Sequence, residues 1–281
     1  MSNAPSTTHV IYTHLDLEGC TAELWLNDIP ISRLVAEFRR VESTAVQQYL
    51  FDGPNRLELL IEPGTTPAVS RTERRELLRP KARVSGRIVK YPDGADLGPE
   101  NGEVLAEVNF LAEELAPKPG DPVGPAWFPR SVSTDKDLGK VAGRWAFQDA
   151  PVLTLNDELV AEASAVLEEV AAAIARGDAV TFMALLSDQH ADVLRAYPAF
   201  TLDRIRADVV DYVSWFSRAK QPVLPREPEK YSFRLAAGGR LLQCLCKDWE
   251  GCVRMVSPDD GGISPYPLFL ARLGGRLRIV R

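Results

Sequence analysis

Three cysteines crowd one short stretch, Cys244, Cys246 and Cys252, while Cys20 stands alone far upstream. Thiols in such a cluster could hold a soft metal. On an extended strand Cys244 and Cys246 share a face, Cys252 could reach them across the next turn, and Asp248, on the same face, could be a fourth ligand. Zinc sites, however, favour Cys-x2-4-Cys spacing over Cys-x-Cys, and all three histidines are remote in sequence. Small apolar residues filling a core is the expected role, since free cysteine is among the most buried residue types. No metal and no cofactor is expected.

His9 and His14 fall on opposite faces of one candidate strand, which makes them poor partners for a common ion. His190, between Asp188 and Asp192, has the neighbours of a tuned acid or base, but its place near a helix end suggests a surface position. Asp208 and Asp211 lie three apart beside Tyr212 and Trp215. Catalysis by such a carboxylate requires desolvation that raises its pKa, whereas this pair borders an apolar stripe and is expected at its solvated edge. Gly-rich phosphate loops, a Gly-x-Ser-x-Gly elbow and a His-Glu-x-x-His helix are absent from the sequence.

Charge is the more distinctive signal. Residues 151–229 carry 7 Lys/Arg against 13 Asp/Glu, and residues 230–281 carry 9 against 4. The basic excess sits on predicted strands as Arg234, Lys247, Arg254, Arg272, Arg276 and Arg278. Together with Tyr212 and Trp215 these are the candidate ligand or partner surface. The basic strands can equally satisfy the acidic helices of the same domain.

These residues need a scaffold, and 281 residues are enough for two domains. The net charge of −6 disfavours a dedicated nucleic-acid binder. No apolar run approaches the roughly 18 residues of a membrane span, and the first residues lack the pattern of a secretory signal, so a cytoplasmic protein without membrane contact is expected. Strand signals dominate residues 9–148: Val10–Leu17, a hairpin of Ala22–Asn27 and Ile29–Leu34 turning at Asn27-Asp28, then Thr44–Leu50, Arg56–Ile61, Lys81–Lys90 and Glu103–Leu111. In the last of these Val104, Ala106, Val108 and Phe110 share a face. Residues 73–83 are charge-dense and expected at the surface, residues 116–140 read as a long loop, and Val141–Gln148 as a last strand carrying Trp145 and Phe147. The expected domains are an all-β sandwich over 1–150 and an α+β domain over 151–281, with helices packed on a curved antiparallel sheet.

In the second domain the helical period places Leu155, Leu159, Ala163, Val166, Leu167, Val170 and Ile174 on one face, with Thr154 as N-cap and Gly177 as stop. Asp178 can cap a second helix, a short third piece covers 191–196, and Thr201 can cap a fourth running to about Lys220, with Leu202, Ile205, Val209, Tyr212, Val213 and Phe216 inward. Strands follow at 231–236, 240–249, 251–256, 266–273 and 276–280, with Gly238-Gly239 and Gly274-Gly275 as hairpin turns. The strand Leu241–Cys246 is apolar on both faces, which predicts a cover over its outer side, either the sandwich or a second copy of the chain forming a homodimer.

The second half resembles the nuclear transport factor 2-like superfamily through its first helix, the junction Ala175-Arg176-Gly177-Asp178-Ala179, the run Phe182-Met183-Ala184-Leu185-Leu186 and the ending Gly275-Arg276-Leu277-Arg278-Ile279-Val280. The resemblance covers about the last 125 residues, an ordinary domain length, and implies a cone of helices over a curved sheet. That superfamily holds isomerases, dehydratases and cyclases as well as binding modules, and it assigns no catalytic residue here. Leu24-Trp25-Leu26-Asn27-Asp28-Ile29-Pro30 and Tyr49-Leu50-Phe51-Asp52-Gly53-Pro54-Asn55-Arg56-Leu57-Glu58-Leu59 more weakly resemble the jelly-roll-like sugar-binding domains of family 2 glycoside hydrolases. The functional expectation is a non-catalytic protein that recognises a protein partner or a small ligand, an accessory or toxin-neutralising role being compatible with it. The alternatives are a pocket enzyme of isomerase or dehydratase type and a carbohydrate-binding module using Trp25 or Trp127.

Overall fold

The computed structural model describes residues 9–62, 81–98, 101–114, 118, 129–141, 143–225, 227–247 and 250–281. The charge-dense segment 73–80, Trp127 and Asp248 lie outside these residues. Two compact units divide the chain, Met1–Gly143 and Arg144–Arg281, and each is described by itself. Among the described residues no helix is long and apolar enough to cross a membrane.

The first unit is all β: β1 (His9–Glu18), β2 (Cys20–Leu26), β3 (Ile29–Ala36), β4 (Arg40–Ala45), β5 (Pro54–Glu62), β6 (Arg83–Pro92), β7 (Glu103–Leu111) and β8 (Arg130–Asp137). They form two antiparallel four-stranded sheets, β4-β1-β6-β7 and β3-β2-β5-β8. One core joins them, with Leu15, Leu17, Val84 and Phe110 from the first sheet and Leu24, Leu57 and Leu59 from the second. Alternation along β1, β3, β5, β6 and β7 drives this arrangement, one face apolar and buried, the other more exposed.

The β2–β3 hairpin turns at Asn27 and Asp28, both left-handed at φ 55° and 61°, as a two-residue hairpin requires. Asn27 Nδ2 donates to Tyr49 O and to Asn55 Oδ1. Asn55, buried, accepts from Phe51 N and donates to Phe51 O and Gly53 O. The short motif around Asn27 and Asn55 thus ties a hairpin to a loop.

Three sequence expectations change in this unit. Residues 130–137, expected within a loop, form β8, an edge strand on β5. Its Arg-Ser-Val-Ser-Thr-Asp-Lys-Asp sequence has no apolar face because nearly every side chain is solvated. Val104, expected in the core, is 47% exposed. Ile88 pairs with Ala106 but Val89 with Val104, so Leu105 is an extra residue that turns Val104 outward, as a bulge does. The strand expected over 44–50 ends at Ala45, and a 3-10 turn covers Gln47–Tyr49.

The second unit runs α1 (Asp157–Ala175), α2 (Ala179–Leu185), α3 (Ser187–Ala196), α4 (Leu202–Phe216), then β9 (Tyr231–Ala236), β10 (Leu241–Cys246), β11 (Val253–Val256), β12 (Ile263–Tyr266), β13 (Leu268–Leu273) and β14 (Arg276–Ile279). Asp178 Oδ1 accepts from Thr181 N and Thr201 Oγ1 from Arg204 N, as N-caps do. The cap of α1 is Asn156, whose Oδ1 accepts from Leu159 N at 2.8 Å, two residues beyond the expected Thr154. Leu155 therefore precedes the helix and is 47% exposed, and Leu202, opening α4, is equally exposed. The helices share one core with the strands: Leu159, Leu167, Ile174, Val213 and Phe216 pack with Leu242, Cys244 and Leu270.

The sheet order is β14-β13-β10-β9, with β11-β12 as a separate ribbon. The expected strand 266–273 is two strands in different sheets, divided at Pro267, which has no N–H to give to a ladder. Likewise, 240–249 stops at Cys246. Val141–Gln148 is not a last strand of the sandwich: Ala146–Asp149 is a 3-10 helix in the second unit. Trp145 and Phe147 are buried there, and the guanidinium of Arg281 lies 5.5 and 5.1 Å from their ring centroids. Every residue of β10 is buried, so neither face of that strand stays open in the single chain.

Candidate functional site

A cavity of about 280 Å³ opens in the second unit between α2, α3, α4 and β12. Phe182 from α2, Ile205, Val209 and Tyr212 from α4, and Tyr266 from β12 make its apolar wall. The period of α4 places Ile205, Val209 and Tyr212 in line, one turn apart. The aromatic wall is a mutual cluster. The Tyr212 ring stacks on Phe182 at 6.2 Å and meets Phe216 edge-on at 4.9 Å, and Tyr266 meets Phe182 edge-on at 5.7 Å.

Few polar atoms interrupt this wall. The Tyr212 hydroxyl donates to Met255 Sδ at 3.0 Å. Burial, and then the nearby Tyr266, pushes its pKa above the ordinary tyrosine value. Burial alone pushes Tyr266 up to about 12. Both hydroxyls therefore stay protonated at neutral pH and can only donate or accept hydrogen bonds.

His190, expected at the surface, is half-buried on α3 and lines the cavity. Burial lowers its pKa, and its Nδ1 is buried with no hydrogen-bond partner among the described residues. Its acidic neighbours are engaged elsewhere: Asp192 with Arg281 and Asp188 with Arg278. Sequence spacing alone could not show this, because the pairing partners lie near the C-terminus of the sequence.

Asp208 and Asp211 are exposed, as their place beside the apolar stripe implied. Asp208 stands at the cavity rim, 4.0 Å from Arg204 Nε. An open groove adjoins the cavity and is lined by Asp211, Trp215 and Arg218 with Tyr212. Of the candidate surface, Tyr212 and Trp215 thus come together at one site.

The basic candidates do not gather there. Arg272 forms a two-pronged pair with Glu162 of α1 at 2.6 and 3.2 Å. Burial raises the Glu162 pKa, but the Arg272 hydrogen bonds and the Leu277 N–H outweigh it and hold the carboxyl low. Arg278 Nε lies 2.6 Å from Asp188 of α3, and Arg234 Nε donates to Gln243 Oε1 at 2.9 Å. Lys247 and Arg276 are exposed and Arg254 is half-buried on β11. The charge asymmetry of the sequence is met in good part within the unit, sheet arginine to helix carboxylate.

Cys244, Cys246 and Cys252 are buried in the same core, none of them in a disulfide. Burial raises the pKa of Cys244, and burial with the neighbouring Cys246 and Cys244 raises that of Cys252. Thiols kept protonated in this way are poor nucleophiles, since the thiolate is the reactive form. Among the described residues no group of three or more His, Cys, Asp or Glu side chains is placed to hold a metal ion. In the first unit Trp25 is half-buried and its Nε1 donates to Glu23 Oε2 at 2.9 Å.

Compared with protein-family models, with curated proteins and with solved structures, the chain matches none.

Proposed function

We propose that the protein is a binding protein without catalytic function in its second unit, and that this unit takes a small ligand with a flat apolar body. The observation that carries this reading is the aromatic cavity walled by Phe182, Tyr212 and Tyr266. An apolar cavity of roughly 150 Å³ is enough for benzene, so about 280 Å³ suits a two-ring molecule. One polar end can hydrogen-bond to His190 Nδ1, which otherwise has no partner among the described residues. The reading accords with the nuclear transport factor 2-like resemblance, whose members include binding modules.

Indole and 2-naphthol serve as probes, followed by calorimetry and by ligand-observed nuclear magnetic resonance. Binding in the micromolar to low-millimolar range is expected for the wild type, and its loss in Val209→Phe, which fills the cavity. Absence of binding by either probe, or binding unchanged in Val209→Phe, refutes the reading.

A second reading, an isomerase or dehydratase, rests on one observation. A histidine kept neutral by burial and lining an apolar cavity is the right type of group to take a proton from an activated C–H. Deuterium exchange into a bound ketone, catalysed by the wild type and abolished in His190→Gln, would decide for it.

A further inference from the structure

We propose a second site on the first unit: Ser43 as a nucleophile, His14 as its general base and Tyr91 as the positioning residue, acting on esters of short-chain acids. This site is separate from the cavity of the second unit and does not depend on how that cavity is used.

Strand register builds it. Ser43 on β4, His14 on β1, Arg87 on β6 and Glu107 on β7 are successive cross-strand partners, one row over the sheet. Ser43 Oγ lies 2.8 Å from His14 Nδ1, and the Tyr91 hydroxyl lies 2.8 Å from His14 Nε2. The same hydroxyl donates to the Leu97 carbonyl at 3.2 Å.

Proton counting fixes the direction of this chain. A phenol has one proton, and the Leu97 carbonyl can only accept, so the Tyr91 hydroxyl must accept from His14 Nε2–H for both contacts to hold. A neutral imidazole then presents its lone pair at Nδ1, and the Ser43 hydroxyl donates to it. Burial, and then the charge of Arg87, favours this neutral imidazole. A nucleophile bonded to a base, with that base oriented by a third group, is the arrangement that activates a serine.

A serine–histidine pair across two strands would by itself be an ordinary surface contact. Here the third group is fully buried, bonded to the Leu97 carbonyl and packed against Gly102. A Cβ at Gly102 would stand 2.4 Å from Val89 Cγ1 and 2.7 Å from Tyr91 Cε1, so a side chain there would have to displace one of them. The pair also opens onto a cavity of about 150 Å³. Val41, Val89, Leu97 and Val104 supply its apolar part, with room for an acetyl or propionyl group.

Arg39 and Arg87 line the same cavity. Arg39 spends Nε and Nη2 on Asp16, and Arg87 spends Nε on Glu107. Their other N–H groups are the donors for a carbonyl oxygen that gains negative charge. The steps follow. Ser43 Oγ adds to the ester carbonyl carbon as His14 Nδ1 takes the hydroxyl proton. The bond from carbon to the alcohol oxygen breaks, and the alcohol leaves with that proton. Water then adds to the acyl-serine, giving its proton to Nδ1, which returns it to Ser43 Oγ as the acid departs.

The test uses the full chain and a small alkyl fluorophosphonate, which forms a Ser43 Oγ–P bond and releases fluoride, with peptide mass spectrometry to locate the adduct. Hydrolysis of 4-nitrophenyl acetate and 4-nitrophenyl octanoate is read alongside. Expected are an adduct on Ser43, acetate preferred over octanoate, loss of both signals in Ser43→Ala, and a rate lower by about 10²–10⁴-fold in His14→Gln. Circular dichroism of Ser43→Ala, an exposed edge-strand substitution, separates chemistry from folding. The titratable groups around His14 are Asp16, Arg39 and Arg87, which line this cavity with it, and Tyr91, bonded at its Nε2. Tyr91→Phe removes the acceptor of Nε2–H, which the imidazolium needs more than the neutral ring, so the midpoint of the pH–rate profile should move down. An unlabelled Ser43 overturns the proposal, as does an acetate rate that Ser43→Ala leaves intact. An unmoved midpoint in Tyr91→Phe overturns the role given to Tyr91.

Discussion

Replacing Asp192 by alanine should destabilise the second unit more than any exposed charge deletion in the chain. The side chains of Asp192 and Arg281 are each 1% exposed, with Nη1 to Oδ2 at 2.8 Å. The guanidinium lies over the rings of Trp145 and Phe147, and Nη1 also donates to the Val280 carbonyl. Without the carboxylate a full positive charge stays buried with its ion-pair partner removed. Breaking a buried pair in this way costs about 3–5 kcal/mol, a fifth or more of the roughly 5–15 kcal/mol that holds a domain folded. Replacing both partners, Asp192→Leu with Arg281→Met, should return the protein to within about 1 kcal/mol of the wild type, because the desolvation cost of both charges disappears as well. Urea unfolding by circular dichroism and by tryptophan fluorescence measures all three variants, and the cycle isolates the coupling. Arg204→Ala, which removes the exposed pair with Asp208 at 4.0 Å, is the control and should cost about 0.5 kcal/mol or less. If Asp192→Ala costs no more than that control, the burial reasoning is wrong.

Tyr212→Phe removes only the hydroxyl bond to Met255 Sδ and should cost about 1 kcal/mol, whereas Tyr212→Ala opens the aromatic cluster and should cost about 3–5 kcal/mol; chemical denaturation distinguishes them. The lowered pKa values of His190 and His14 mean that the unfolded chain takes up protons near pH 6.5 before the folded one does. Stability should therefore fall as pH drops below about 6.5 and level off below the folded values, and His190→Gln should flatten part of that slope in melting curves. Glu162, held low, contributes stability that is full above its unfolded value near 4.5 and is lost as pH falls through its folded value. Gly102→Ala should cost about 1–3 kcal/mol by crowding Val89 and Tyr91 at position 102, measured by thermal unfolding. Cys20, pushed up to about 12 by burial, and the three thiols of the second unit should react with Ellman's reagent only on unfolding.

The starts of α2 and α4 were legible because their caps are local events, whereas α1 begins two residues later than expected, at the equally local cap of Asn156. Asp178 and Thr201 each bond an amide three residues on, so the relevant geometry lies within one turn of the chain. The Asn27-Asp28 hairpin was legible for the same reason. Strand β8 was not, because an edge strand owes its existence to the backbone bonds that β5 offers and carries no apolar face of its own. The bulge that turns Val104 outward was equally hidden, since a one-residue slip is a property of the pairing of β6 with β7. Trp145 and Phe147 read as strand because they alternate. Their burial in the second unit beneath Arg281 follows from a contact more than 130 residues apart in sequence.

By itself, then, the sequence determined the material: which stretches are helical, which alternate, where turns reverse, and that three thiols would sit in a core. Periodicity, capping and turn chemistry act over a few residues and are written in order along the chain. Both candidate sites depend instead on which strands pair and in what register. Ser43 and His14 become partners because β4 lies against β1, and Tyr91 joins them only through β6. His190 lines a cavity because α2, α4 and β12 come together beside it. Those juxtapositions minimise exposed apolar surface over a whole unit, a sum that no local pattern contains.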